Sequence, residues 1–320
     1  MPNAMTSILR ASTRDPNEKL NVLTFPTHER YETGLAKTGH NFYAYRAEGI
    51  KDWNETYAPL PDIDFDLVLS QNKFGQFQKA HELAKLLHLP LVSLEHTLPV
   101  PEWGDNIMNA VQNMRGDVNI FISAFSIGEW GWEDKQDTAV ITHGIDTDLF
   151  CTTDKERSDE ILSVVNDWVN RDWCCGFSIW QRVIDGLPYK VVGDTPGLSE
   201  PAASTEELVA TYQNSRIFLN TSTISPVPTA LMEAMACGCA VVSTDTCMIP
   251  EVIEHGVNGF ITNDENQMKQ HLVDLLNDED MCKEIGESAR KTIVENYSMD
   301  TFVSNWDKTL RLAANVPFRG

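Results

Sequence analysis

No run of the sequence comes near the roughly 20 uninterrupted apolar residues that a membrane-spanning helix needs, so a spanning role is excluded. The stretch from Met1 to Glu18 is polar and lacks the apolar core of a secretory signal, so the expected location is the cytoplasm. Positive charge is scarce as well: 25 Lys and Arg stand against 47 Asp and Glu, a net charge of −22. A field of that sign repels phosphate backbones and anionic lipid, which disfavours nonspecific nucleic-acid or membrane binding. It still leaves room for one or two well-placed cations. Paired cysteine motifs are missing too. The seven cysteines, Cys151, Cys174, Cys175, Cys237, Cys239, Cys247 and Cys282, include no C-x2-C pair with histidine partners downstream. No metal is expected, and reduced thiols are the default. Internal repeats and low-complexity segments are absent.

What is present is an ordinary globular composition, 42% apolar and 22% charged over 320 residues, enough for two domains of about 150 residues each. From Leu20 onward short apolar runs alternate with amphipathic stretches, the pattern of βα units on a parallel sheet. Strands are expected at Leu20 to Phe25, Asn41 to Tyr45, Phe65 to Leu69, Leu91 to Leu94, Val118 to Ser123 and Ala139 to Thr142, with a helix from Phe74 to Leu87. A second series follows, with strands at Ile161 to Val165, Tyr189 to Val192, Ile217 to Leu219 and Ala240 to Ser243. Its helices are expected at Thr205 to Gln213, Thr229 to Ala236, Glu265 to Leu276 and Glu279 to Asn296. The seam falls where His143-Gly144-Ile145-Asp146 makes a turn. The expected organisation is α/β, with Rossmann-like units at 1–145 and 146–298 and a last helix within 299–320.

The most informative segment runs from Asn220 to Gly238. An apolar strand ends in Ser, Thr and Pro residues, and a helix starts close to Pro228, where proline suits a first turn. Free N–H groups and the helix dipole at that end form a site for an anion such as a diphosphate. Glu233 lies one turn further in, on the otherwise apolar run Leu231 to Met235, so its carboxylate requires a partner. Two readings stay open. One is an ion-pair or capping role inside the domain; the other is acceptance of two hydrogen bonds from a ribose diol.

The run from Leu231 to Asp245, continued by Ile249-Pro250-Glu251-Val252-Ile253 and His255 to Ile261, resembles glycosyltransferase family 4, a large group of retaining enzymes of the GT-B type. Shorter echoes are His143 to Phe150, Val191-Val192-Gly193 at a strand end, and Gly34 to His40. The resemblance covers the C-terminal half well and the N-terminal half in outline. It implies two Rossmann-like domains facing each other across a cleft, with the helix from Met299 to Ala313 packing back across the junction. It also implies a nucleoside diphosphate sugar as donor substrate, without a further cofactor. On that resemblance Glu233 binds the donor ribose, while the main chain of Val227, Pro228, Thr229 and Ala230 and the turn at Gly193 line the donor. Arg171 matches an arginine that faces the diphosphate, with a solvated loop cation as its alternative. The lysine that usually accompanies it has no counterpart in Trp173 to Phe177.

The clearest departure is Ser225, eight positions before Glu233, where family members carry a glutamate that contacts the transferred sugar. A Gly-rich first loop is also replaced, by Pro26 to Arg30. His96, directly after an apolar strand, resembles the histidine that faces the donor sugar; a structural histidine bonded to a carbonyl is the alternative. His28 and Glu29, after the first strand, are acceptor-side candidates. Asp62-Ile63-Asp64 has the spacing of a metal-binding Asp-x-Asp, as in GT-A enzymes, but precedes its strand, and ligands bind at the opposite edge. Trp130 and Trp132 suit base or sugar stacking, or plain packing.

Together these features point to transfer of a glycosyl group from a nucleoside diphosphate sugar to a hydroxyl acceptor, with retention and without an obligatory metal. His96, Arg171 and Ser225 are the expected catalytic set. Three alternatives stand beside it: a catalytically silent GT-B module that binds a nucleotide sugar or glycan, a transferase acting on a modified nucleic-acid base, and a nucleotide-sugar epimerase, for which no carboxylate and histidine set is found.

Overall fold

The computed structural model describes residues 9, 11–27, 29–46, 49–52, 57–58, 63–72, 75–99, 104–133 and 137–316. The chain divides into two compact units, one made of 1–142 with 302–320 and the other of 143–301.

The first unit is built on an eight-stranded sheet with strands β1 (Asn21–Thr24), β2 (Asn41–Arg46), β3 (Gly49–Asp52), β4 (Tyr57–Ala58), β5 (Leu67–Ser70), β6 (Leu91–Glu95), β7 (Val118–Phe121) and β8 (Thr138–Val140). Their order is β4-β3-β2-β1-β5-β6-β7-β8. Pairings from β2 through β8 are parallel, while β3 and β4 add an antiparallel edge. Helices α1 (Glu29–Ala36), α2 (Gln76–Leu87), α3 (Gly104–Gln112) and α4 (Ala124–Glu129) alternate with the strands. Central strands β1, β5, β6 and β7 are buried almost throughout, as parallel strands covered on both faces must be. The helix expected from Phe74 begins at Gln76, and Phe74 itself lies outside the described residues.

The second unit holds an all-parallel sheet of β9 (Ser158–Val164), β10 (Tyr189–Val192), β11 (Ser215–Asn220), β12 (Ala240–Ser243) and β13 (Phe260–Ile261), ordered β10-β9-β11-β12-β13. Its helices are α5 (Asp172–Cys175), α6 (Phe177–Ile184), α7 (Thr205–Gln213), α8 (Thr229–Ala236), α9 (Ile249–Val252), α10 (Glu265–Asn277) and α11 (Glu279–Asn296). Alternate strand residues feed opposite cores. Leu162, Phe218 and Val241 pack with Tyr212, Met232 and Ile293, whereas Ile161, Ile217, Leu219 and Val242 pack with Trp168, Trp180 and Leu272. The period of two along a strand explains the split.

The last helix, α12 (Met299–Ala313), counts with the first unit from Phe302 on. It buries Phe302, Trp306, Leu310 and Ala313, a stripe at helical spacing. Trp306 Nε1 donates to the Tyr31 hydroxyl at 3.0 Å. Arg311 reaches the carbonyl oxygens of Pro16 and Glu18. No helix among the described residues is long and apolar enough to cross a membrane.

Candidate active site

In the second unit the sequence-predicted donor residues gather at one edge of the sheet. Gly193 follows β10, Arg171 follows β9, and Thr221 to Pro228 follow β11, all at C-terminal strand ends, where α/β folds hold ligands. The loops are tied together by their backbones. The Cys174 carbonyl accepts from the amides of Thr223 at 2.9 Å and Ile224 at 3.1 Å, and the Trp173 carbonyl accepts from the Thr223 hydroxyl. Thr244 and Thr246, after β12, both donate their hydroxyls to the Ser222 carbonyl. Gly176 stands at φ 66° where a Cβ would collide with the carbonyl oxygen of Thr221, so only glycine allows this approach. Gly193 meets the same constraint against Val165, at φ 139°, and its buried turn shapes the edge through its backbone.

Helix α8 spans Thr229–Ala236 as expected, and Pro228 stands as its N-cap without a capping side chain. Val227 accepts from the Thr229 amide, and Pro228 accepts from that of Met232. Among the described residues the amides of Ala230 and Leu231 meet no loop acceptor, as expected for a first turn that no side chain caps. The positive end of the α8 dipole thus opens on the loop that carries Ser225, itself half-buried. The opposite end is met by two cations: Arg157 donates to the carbonyls of Cys237 and Gly238, and Arg290 to that of Ala236.

Glu233 is 3% exposed, and its Oε2 accepts a hydrogen bond from the hydroxyl of Tyr212 at 3.0 Å. Burial, reinforced by the Glu233 charge, pushes the Tyr212 phenol well above its ordinary range, so it stays a donor. Tyr212 has no signal in the local sequence, because it reaches Glu233 from α7, 21 positions away. Arg171 is exposed, starts α5 as its N-cap residue, and makes no ion pair among the described residues.

Five cysteines of this unit, Cys174, Cys175, Cys237, Cys239 and Cys282, are core residues, while Cys151 and Cys247 are half-buried. Cys174 and Cys175 are buried with their Sγ atoms 3.6 Å apart, and burial pushes the Cys175 and Cys239 thiols up to about 12. Such thiols are protonated at neutral pH and poor nucleophiles.

In the first unit His96 follows β6 directly, beside Gln71 after β5 and Thr27 after β1. His96 Nε2 lies 3.0 Å from Gln71 Oε1, which also accepts from the Thr27 hydroxyl at 2.8 Å. Gln71 Nε2 donates to Glu32 Oε1 at 2.6 Å, and the Thr27 amide donates to the same oxygen. Tyr31 packs edge-on against the His96 ring, 4.7 Å between centroids. The loop beyond is held by Glu95, which accepts from the amide and hydroxyl of Thr97, and by Trp130 Nε1, which donates to the Thr97 carbonyl. Glu95 pairs with Arg115, whose guanidinium lies 5.1 to 5.4 Å from the rings of Phe121, Trp130 and Trp132. Both tryptophans therefore have a packing role around a buried cation.

Glu29 is exposed in the first turn of α1, and His28 lies outside the described residues. Asp64 is exposed before β5, at the sheet's N-terminal edge, and Asp62 lies outside the described residues. Sequence reasoning missed Glu32, Gln71 and Tyr212. Only Gln71 had a legible signal, a polar residue directly after a buried strand.

Residues 201–292 match the family model of glycosyl transferases group 1. Over 79 residues the chain is 35% identical to N-acetyl-alpha-D-glucosaminyl L-malate synthase of Bacillus anthracis, a match that covers 24% of this chain and 21% of that protein. The matched part is thus about a fifth of that relative's length. Among solved structures, HepE from Anabaena in complex with UDP superposes with a TM-score of 0.70 at 16% identity, over 92% of this chain and 99% of that one. Sucrose-phosphate synthase from Thermosynechococcus elongatus gives a TM-score of 0.73 at 12% identity with the same coverages. The chain has the GT-B fold of glycosyltransferases, and within it residues 201–292 match glycosyl transferases group 1.

Proposed function

We propose that the protein transfers a glycosyl group from a nucleoside diphosphate sugar to a hydroxyl acceptor, with retention of anomeric configuration. The observation that carries this is Glu233, a buried carboxylate on an apolar helix whose uncapped N-terminus opens on the loop of Ser225. A carboxylate there suits a ribose diol, and the helix end with Arg171 suits the diphosphate. The bond from the anomeric carbon to the diphosphate breaks, its electron pair leaves with the phosphate oxygen, and the acceptor oxygen forms the new bond and loses its proton. Charge on the leaving diphosphate falls to the α8 amides and Arg171, so the reaction proceeds without a metal cofactor. His96 is assigned to the transferred sugar and Glu29 with His28 to the acceptor side, on the resemblance. Seven free thiols support a reducing cytoplasm as the location.

HepE has been solved with UDP-glucose and with UDP and glucose, which makes uridine diphosphate sugars the first probes. A thermal-shift panel of nucleoside diphosphates and their sugars tests the reading, since a ligand at about 100 times its Kd stabilises by about 2.7 kcal/mol. No shift with any of them sinks it. Ser225, uncharged where related enzymes carry glutamate, favours a second reading: a module that binds the nucleotide sugar without turnover. Slow donor hydrolysis without acceptor supports the enzyme; tight binding with no hydrolysis and no transfer supports the module.

A further inference from the structure

We propose that Gln71, oriented by Glu32, is a positioning residue that holds His96 in its Nε2–H tautomer. The argument begins with Glu32, 4% exposed on α1, whose carboxylate oxygen accepts from both the Thr27 amide and Gln71 Nε2. A carboxylate only accepts, so the contact at 2.6 Å identifies which end of the Gln71 amide is nitrogen. The other end, Oε1, is then an acceptor with two lone pairs. One is met by the Thr27 hydroxyl and the other by His96 Nε2. An amide oxygen 3.0 Å from a ring nitrogen requires that nitrogen to carry the proton. Gln71 is 1% exposed, and its two ends are held from three chain segments, after β1, on α1 and after β6. It has no alternative orientation that keeps these bonds.

The consequence for His96 is chemical. With Nε2–H committed to Gln71, the lone pair of the neutral ring lies on Nδ1, a buried atom, so any group that meets it, from the chain or from a substrate, has to donate. The Tyr31 ring, set by Trp306 and Phe302 of α12, closes on the imidazole edge-on and adds a second restraint on its plane. Neither Gln71 nor Glu32 needs to touch substrate. This inference rests on the transferase reading for its kinetic part alone, since the tautomer is a property of the folded chain.

The experiment uses the full chain labelled with 15N-histidine and two-bond 1H–15N spectra, with the His96 signals assigned by their loss in His96→Asn. Parent protein is expected to show His96 with its proton on Nε2. Gln71→Leu is expected to shift His96 to the other tautomer or to a mixture, and to lower kcat roughly tenfold, one net hydrogen bond's worth, while the Kd for UDP is unchanged. The exchange Glu32→Gln with Gln71→Glu, in which residue 32 donates to residue 71 and an acceptor oxygen still faces His96, is expected to keep Nε2 protonated and covers the case in which Gln71→Leu does not fold. A parent spectrum with the proton on Nδ1 overturns the proposal. So does a folded Gln71→Leu, or a double variant, whose tautomer is the opposite of that stated. If the spectra agree but the parent transfers no sugar from any nucleotide donor, the transferase reading fails and the positioning of His96 stands.

Discussion

Tyr212 donates its hydroxyl hydrogen bond to Glu233 across 21 positions of chain, at 3.0 Å, inside the core of the second unit. Both groups are almost fully buried, so the carboxylate is oriented by a donor that water does not replace.

Replacing Glu233 with Gln is expected to weaken nucleoside diphosphate binding by about 1.5 to 3 kcal/mol, the range for a charged hydrogen bond. Tyr212→Phe is expected to weaken it by a smaller factor and to lower the melting temperature, because one carboxylate oxygen loses its donor. Isothermal calorimetry with UDP and a thermal melt measure the two. Unchanged affinity in folded Glu233→Gln means that the carboxylate is structural and that the Tyr212 bond is its purpose.

Arg171 is exposed and makes no ion pair among the described residues, so its loss is expected to leave the melting temperature within the scatter of surface substitutions. Arg171→Ala is expected to weaken UDP binding while the affinity for uridine hardly changes. Equal losses on the two ligands rule out a diphosphate contact. The UDP affinity of the parent is also expected to fall with added salt, since exposed charge pairs are screened.

Transfer activity is expected to survive EDTA, because the α8 N-terminus and Arg171 are assigned the leaving-group charge. Complete loss, rescued by one divalent ion, returns attention to Asp62 and Asp64 and removes the metal-independent mechanism.

His40 links stability to pH in the first unit. Its Nδ1 accepts the Leu20 amide at 3.2 Å, and its Nε2 lies 3.1 Å from Asp307 on α12. Burial, with the nearby Arg311 charge, lowers its pKa below the ordinary histidine value, outweighing Asp307. The unfolded chain therefore binds the proton more readily. The contribution is fully present above about pH 6.5 and is lost as pH falls from there through the folded value. His40→Gln keeps an acceptor and a donor without titrating. Between about pH 7 and pH 5.5 the parent's melting temperature is expected to fall more steeply than that of the variant. Parallel slopes remove His40 from the account.

Much of the second unit was legible because its strands, buried nearly throughout in β11 and β12 and in part in β9, are short apolar runs. Tyr189–Val192 and Ala240–Ser243 lie where the apolar runs put them, and α11 and α12 match their periodic stretches at both ends. The first unit was legible along its central strands but not at its edge. β3 and β4 pair antiparallel on a sheet margin and have no apolar run in the sequence to announce them, and α3 buries no side chain. Helices α5 and α6 were missed because Trp173 to Phe177 has no helical period until Gly176 separates the two.

The sequence by itself determined the two α/β units, the helix that carries Glu233 and the likeness of residues 201–292 to glycosyl transferases group 1, because local periodicity and a long contiguous motif survive in one dimension. Tertiary structure alone decided which groups hold the candidate residues. Tyr212 meets Glu233, and Gln71 joins Glu32 to His96, through hydrogen bonds that span 21 to 39 positions. Such bonds depend on which strand ends become neighbours in a sheet, and strand order is set by the packing of the whole unit, which no local pattern records.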